Sequence, residues 1–531
     1  MKHNFQKIYI IWALVFAMTA FSCSKKLDRM PINTTSNTDV FSTIDGTKQA
    51  LAKVYGAFAL TGSSGSGSSD LGGIDAGTSD FLRLYWNAQE LPTDEALCAW
   101  GDPGIPDLNE ISWTSGNLLL NGLYNRCIYQ ITVANSFIRE TENVPASFSD
   151  EDKENLTHFR AEARFVRAYQ YWVLMDLFGN PPFTDENSKI GKIAPPQIKR
   201  ADLFTYIESE LKAIEPDLVA PKQNEYGRAD QAADWALLAR LYLNAAVYTG
   251  TDHYTDAITY SEKVINSGYS LDTHYNDLFL ADNNVNNPET ILSINYDGNE
   301  TQNYGGTTFL VNACIDGSTG DGPDAYGVPA GGWGGIRARS PLPKLFGDDY
   351  TASKDKRAAL MLGTEYDITN TTTFAEGVKV IKFRNTNSDG SLPANASTFV
   401  STDFPLFRLA EQYLIYAEAV LRGGTGGDKA TAISYINKLR ERAYGNTSGN
   451  VANITLPFIL DERARELYYE GFRRTDLIRF GEFTGSAYIW PWKGGIKDGT
   501  SVADKYNLFP IPASDVAANP DNLTQNPGYG N

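Results

Sequence analysis

Cysteine is scarce in this sequence: four in all, with Cys23 near the start and only Cys98, Cys127 and Cys314 after it. None belongs to a Cys-x-x-Cys pair, so a disulfide framework or a cysteine zinc site is not available and the fold must rest on packing. Histidine is equally sparse, with His158, His253 and His274 beyond the first few residues. No His-Glu-x-x-His, Gly-x-Ser-x-Gly or phosphate-loop string occurs, which removes the common signatures of metallopeptidases, serine hydrolases and nucleotide-binding enzymes. Positive charge is in the minority, 46 Lys and Arg against 64 Asp and Glu, for a net charge of -18. An acidic chain repels phosphate backbones, so no nucleic-acid partner is expected. No apolar run reaches the roughly 18 residues of a membrane-spanning helix.

What is present begins at the N-terminus. Lys2 and Lys7 precede an apolar run from Ile8 to Ala20, and Ser22 precedes Cys23. A run this short fits a secretory leader, and the small residue before cysteine looks like a lipobox, although Ala20 stands where leucine is usual. Residues 1–22 are thus expected to be a lipoprotein signal peptide, with Cys23 carrying the acyl anchor. Loss of Lys2 and Lys7 makes the mature chain two charges more negative. Residues 23–45 are polar, contain Pro31, and read as a lipidated tether. Residues 46–531 are taken as one domain.

Helical patterning dominates that domain. Ser149-Asp150-Glu151-Asp152 combines cap chemistry with an acidic first turn, and it opens a long helix that Gly179-Asn180-Pro181-Pro182 ends. Further helices are expected at about 201–216, 230–249, 254–267, 406–423, 428–443 and 456–480. The run from Trp235 to Ala245, followed by Tyr254 and Ala257 to Val264, has the large–small alternation of a tetratricopeptide pair. Such pairs stack and present a surface. Between the helical groups, residues 285–400 are rich in Gly, Asn, Thr and Pro and carry short β-like runs at 290–295 and 378–383. Residues 61–79 form a Gly/Ser loop. The fold class is therefore mainly α, with stacked helix pairs and long loop-rich insertions holding short strands.

Several strings resemble one family. They are Arg164-Phe-Val-Arg-Ala-Tyr-Gln-Tyr-Trp172, the run from Phe407 to Ala419, Glu462-Arg-Ala-Arg-Glu-Leu-Tyr-Tyr-Glu-Gly471 with its continuation to Gly481, and the tail from Phe509 to Tyr529. Together with the lipobox they resemble the SusD/RagB family of outer-membrane lipoproteins. Glu90-Leu-Pro-Thr-Asp-Glu95, Gly227-Arg-Ala-Asp230, Asn303-Tyr-Gly-Gly306 and Trp490-Pro-Trp-Lys-Gly-Gly495 are similar to its starch-binding branch. The resemblance implies a SusD-like fold with tetratricopeptide units, anchoring on the extracellular face of the outer membrane, and no enzymatic activity. It also implies a SusC-like TonB-dependent transporter as partner, and a starch-like α-glucan as the captured ligand.

A sugar ring has an apolar C–H face and a polar edge, so its recognition needs flat aromatics together with planar hydrogen-bonding groups. The resemblance places an aromatic arc at Trp100, Tyr304 and Trp333, with Arg83 contacting hydroxyls, all four in loop-like sequence. Cys98 stands where the starch-binding branch has another tryptophan, and Pro103 where it has an amide. No cofactor is required, but Asp282, Asn284 and Asn286 offer oxygens at alternate positions, as a structural calcium loop would. Two other readings compete. A glycan-cleaving enzyme would need two carboxylates facing one bond, which Asp94 and Glu95 could supply. A RagB-like peptide binder would need a groove with free backbone groups and no aromatic arc.

Overall fold

The computed structural model describes residues 37–530 apart from 190, 192, 193 and 395. The expected signal peptide and Cys23 lie outside the described residues. A helical turn at Asn37–Val40 and helix α1 (Ile44–Ala59), capped by the Thr43 side chain, already reach into the stretch expected to be tether. Helices α2 (Phe81–Glu90), α3 (Leu118–Glu140), α4 (Asp150–Phe178) and α5 (Arg200–Ile214) follow.

Helix α4 forms as its sequence anticipates. Ser149 and Asp152 satisfy each other's backbone N–H groups in a capping box, and Gly179 closes the helix with a positive φ of 75°. Its second half is buried on all sides, from Phe165 to Phe178. It therefore works as the central beam, packed by α1, α3 and α5.

Two more helix pairs stack beyond it. Helix α6 (Gln231–Leu243) packs on α7 (Tyr254–Ile265), and α7 in turn packs on α9 (Leu409–Leu421), which pairs with α10 (Lys429–Tyr444). Between them in sequence lies α8 (Gly306–Ala313), inside the loop-rich insertion. The chain ends with α11 (Leu456–Leu467), α12 (Arg473–Arg479) and a largely irregular tail.

Three expected helices are shorter than their patterns. The segment 230–249 breaks at Asn244, whose side chain turns back to the Arg240 carbonyl at 2.9 Å. The segment expected from 406 starts at Leu409, because Phe404–Arg408 pairs as a strand with Thr290–Ile294. The segment 456–480 is interrupted where Tyr469 and Gly471 take positive φ of 64° and 81°. That turn is fixed from outside: Trp86 donates to the Tyr469 carbonyl at 2.9 Å, and Lys382 to the Tyr468 carbonyl at 2.7 Å. Tertiary partners override periodicity in each case.

Among the described residues the strands make three two-stranded antiparallel pairs. β1 (Ala96–Cys98) pairs with β3 (Ile336–Ala338), β2 (Thr290–Ile294) with β6 (Phe404–Arg408), and β4 (Met361–Leu362) with β5 (Lys379–Val380). The β1–β3 pair clamps together two segments distant in sequence, the one that runs on to Trp100 and the one that leads in from Trp333.

Beneath the helices lies a buried ionic network. Arg357 bridges Asp355, Glu462 and Glu466 at 2.6–2.9 Å, and Arg408 bridges Glu289, Glu466 and Glu470 at 2.6–3.0 Å. Arg442 joins Glu289 to Glu466, and Lys382 reaches Glu470 at 2.6 Å. All these side chains are at most 4% exposed. The charged string around Glu462–Arg479 thus serves the interior.

Candidate functional site

Four segments far apart in sequence meet on one face. Helix α2 starts at Asp80, the N-cap, whose Oδ1 accepts the Arg83 N–H at 2.9 Å and also the Gly306 N–H at 2.7 Å. One carboxylate therefore ties the start of α2 to the start of α8 and to the Asn303–Gly306 turn that carries Tyr304. Burial pushes the Asp80 carboxyl up to about 6, against the opposing pull of those two N–H groups and of Arg126 and Arg83.

Arg83 projects from the first turn of α2. Its guanidinium lies over the Phe309 ring at 4.6 Å and beside Trp100 at 5.8 Å, and Nη1 donates to the Tyr304 carbonyl at 3.2 Å. Its Nε meets no partner among the described residues. Burial lowers its pKa, opposed chiefly by Asp75, with Asp80 and Asp102 adding to it. The expectation that Arg83 lies in a loop is corrected. It is helical because Asp80 caps α2, and half-buried with its guanidinium over the Phe309 ring.

The rings are set by β1, β3 and α8. Trp100 follows β1, and the Ala99 N–H donates to the Gly335 carbonyl at 2.8 Å, extending the strand pair. A side chain on Gly335 would collide with the Trp100 indole, so glycine permits that ring to lie flat on the backbone. Trp333 is held by its own N–H, which donates to the Asn312 carbonyl of α8 at 2.7 Å. Tyr304 rests on Gly77, where a Cβ would fall 2.5 Å from its own Cβ. The Gly/Ser loop 61–79 thereby supports the site without contributing an aromatic.

The three expected rings do come together. Trp100 and Trp333 have centroids 6.5 Å apart at 45°, and Trp333 and Tyr304 are 6.4 Å apart at 41°. Tyr304 is 43% exposed, and the two tryptophans are half-buried, lying on the core. The result is an inclined row of aromatic faces beside a guanidinium. Sequence reasoning missed three supports. Phe309 lies under Trp100 at 6.0 Å, Phe399 lies against Tyr304 at 5.1 Å, and Asp80 links the two helix starts. Only Asp80 had a readable signal, a cap residue before an apolar helix start.

Other expected positions fall elsewhere. Cys98 is 2% exposed in β1 with its thiol pushed up to about 12 by burial, so that position offers the face no side chain. Asp94 is clasped by Arg473 at 2.7 and 2.6 Å and by the Tyr488 hydroxyl at 2.8 Å. Glu95 accepts from the Tyr469 N–H at 3.3 Å, and burial and the neighbouring Glu90 carboxylate raise its pKa. Both acids are 2% exposed, so they are interior groups and face no open cleft.

In the stretch read as a calcium loop, Asp282 is engaged with Ser388. Both oxygens of Asp282 accept from the Ser388 N–H and hydroxyl at 2.6–3.0 Å. Between it and Asn284, Asn283 is buried and pins the Leu278 and Asp403 carbonyls at 2.9 Å. Nearby Asp272, His274 and Asp277 bring donor atoms within 4.8 Å of one another, and burial, Asp272 and Asp282 raise the Asp277 pKa.

The molecule is thus a helical scaffold that displays a loop-borne aromatic face. The chain belongs to the SusD family, whose profile matches residues 238–529; a second profile, described as starch-binding associating with outer membrane, matches residues 105–243. It is 40% identical to the starch-binding protein SusD of Bacteroides thetaiotaomicron over 583 aligned residues, covering all of both chains. It is 25% identical to SusD-like protein P2 of Formosa agariphila, covering 81% of this chain and 85% of that one. Among solved structures, a SusD superfamily protein of Bacteroides vulgatus superposes with a TM-score of 0.70 at 19% identity, covering 92% of this chain and all of that one. Surface glycan-binding protein A of Bacteroides thetaiotaomicron, in complex with laminarihexaose, gives 0.68 at 20% identity, covering 91% and 99%. The mainly α, SusD-like fold is established. Among the described residues no helix is long and apolar enough to cross a membrane.

Proposed function

We propose that the protein is a non-enzymatic, cell-surface glycan-binding lipoprotein that captures starch-like α-glucan on the Trp100, Trp333 and Tyr304 row. The observation that carries this reading is the row itself: successive rings 6.4–6.5 Å apart, tilted by 41–45°, with Arg83 alongside. Flat rings supply the apolar sugar face, and the tilt suits a ligand that curves. Full-length identity of 40% to a starch-binding protein supports the α-glucan choice over a β-linked one. The interior placement of Asp94 and Glu95 argues against hydrolysis, since a glycosidase needs both carboxyls at the scissile bond. Captured glycan is handed to a SusC-like TonB-dependent transporter, and the acyl chain on Cys23 holds the protein on the outer membrane.

Isothermal titration of the soluble domain with maltoheptaose, laminarihexaose and a peptide mixture tests the ligand class. Binding of maltoheptaose alone is expected; preference for laminarihexaose or peptide overturns the α-glucan reading. Cys23→Ala should move the protein out of washed outer membranes, and co-purification in mild detergent should retrieve the transporter.

A further inference from the structure

We infer that Phe399 is a fourth ring of the binding face, so that the row is built for a glycan longer than three aromatic contacts require. This deepens the α-glucan reading and rests on it. The Phe399 centroid is 5.1 Å from that of Tyr304, with the rings inclined by 55°. The preceding steps are 6.5 Å at 45° and 6.4 Å at 41°. Each ring touches the next at a comparable tilt, and Phe399 continues the row past Tyr304, its most exposed member. Phe399 is itself half-buried.

The residues on either side of it are held by the same helix that holds Trp333. Asn312 accepts the Trp333 N–H on its carbonyl, while its Nδ2 donates to the Thr398 carbonyl at 3.0 Å. On the other side of Phe399, the Val400 N–H donates to the Thr308 hydroxyl at 3.1 Å. The Phe399 carbonyl lies against Gly298, where a Cβ would come within 2.9 Å of it. Helix α8 therefore fixes the spacing between the middle of the row and its far end. Preorganised rings lose little conformational freedom on binding, which is what makes an aromatic contact effective. Phenylalanine has no polar handle, so this position adds contact with an apolar sugar face and no hydrogen-bond selectivity. Its contribution should depend on whether the ligand is long enough to reach it.

The test titrates the wild type, Phe399→Ala, Phe399→Leu and Trp333→Ala with maltotriose and maltoheptaose, alongside thermal melts. Phe399→Ala should weaken maltoheptaose about fivefold, the size of one aromatic contact, while changing maltotriose by less than about twofold. Phe399→Leu keeps apolar bulk against Tyr304 but lacks the flat face, and should lose nearly as much. Equal losses for both ligands would make Phe399 a prop for Tyr304 and overturn the inference. So would wild-type maltoheptaose affinity in either Phe399 variant. Trp333→Ala separates the two levels. If it binds as well as wild type, the glycan reading itself fails; if it loses binding while Phe399→Ala does not, only the fourth ring is lost.

Discussion

Two arginines, Arg83 and Arg408, show how differently this chain uses its two most distinctive regions. Arg83 stands at the proposed binding face with one hydrogen bond to a carbonyl, flanked by rings. Arg408 is 1% exposed and bonded to three glutamates. Around Arg83 the groups are half-satisfied and the nearest buried carboxyl, Asp80, is pushed up to about 6. Around Arg408 nearly every charge has an opposite partner. Burial alone would raise Glu462, but Arg357, Arg465 and Arg440 hold it at about 2. The dense charged motif here serves packing, while the incompletely satisfied aromatic surface is the one proposed for recognition. Buried polar groups need partners to offset desolvation, whereas a ligand site must leave groups for the ligand.

The sharpest way to break this contrast is at the network. Glu466→Ala removes the partner shared by Arg357, Arg408 and Arg442 and leaves buried cations unpaired, so it should cost about 3–5 kcal/mol of folding stability. Urea denaturation checks it, and a loss below about 1 kcal/mol would show that water compensates these charges. At the face the balance should reverse. Trp333→Ala should reduce maltoheptaose affinity more than tenfold, on the order of 1.4 kcal/mol or more. Its half-buried ring should cost only about 1–2 kcal/mol in stability, less than the 3–5 kcal/mol of a fully buried tryptophan. Calorimetry with thermal melts separates the two numbers, and a stability loss exceeding the binding loss would merge face and core.

Acid titration should give opposite signs in the two regions. Glu462 has a folded pKa near 2 against an ordinary 4.5, so its stabilisation is complete above about pH 4.5 and is lost as pH falls towards 2. Asp80 has a folded pKa near 6 against an ordinary 3.8, so its ionisation opposes folding, increasingly as pH rises from about 4 to 6. Asp80→Asn should therefore raise the melting temperature at pH 7.5 and leave it unchanged near pH 3.5. A loss of stability at pH 7.5 would mean that the charged cap on α2 and α8 matters more than its desolvation. The smallest effect is expected from Arg83→Ala, which should weaken glycan binding by less than Trp333→Ala, because water replaces part of its hydrogen bonding. Equal losses from both would assign Arg83 a share in holding Tyr304 through its carbonyl.

Much of the helical frame could be read from residue order alone. Ser149 and Gly179 bounded the central helix, because caps and left-handed glycines act within one turn. Trp100, Tyr304 and Trp333 were singled out by the family resemblance, in loop-like sequence. Tertiary structure alone decided what the charged strings are for. The run from Glu462 to Arg479 is dense in charge, and only its contacts with Arg357, Arg408 and Lys382 make it interior. Asp94 and Glu95 read like a catalytic pair until Arg473, from 379 residues away, closes on Asp94. Thr398, next to Phe399, and Asp80 are tied to α8 by contacts spanning 86 residues to Asn312 and 226 to Gly306. Local pattern carries backbone propensity and solvent preference over a few turns. Which charged group meets which, and which ring ends a row, depends on long-range contacts that no local window contains.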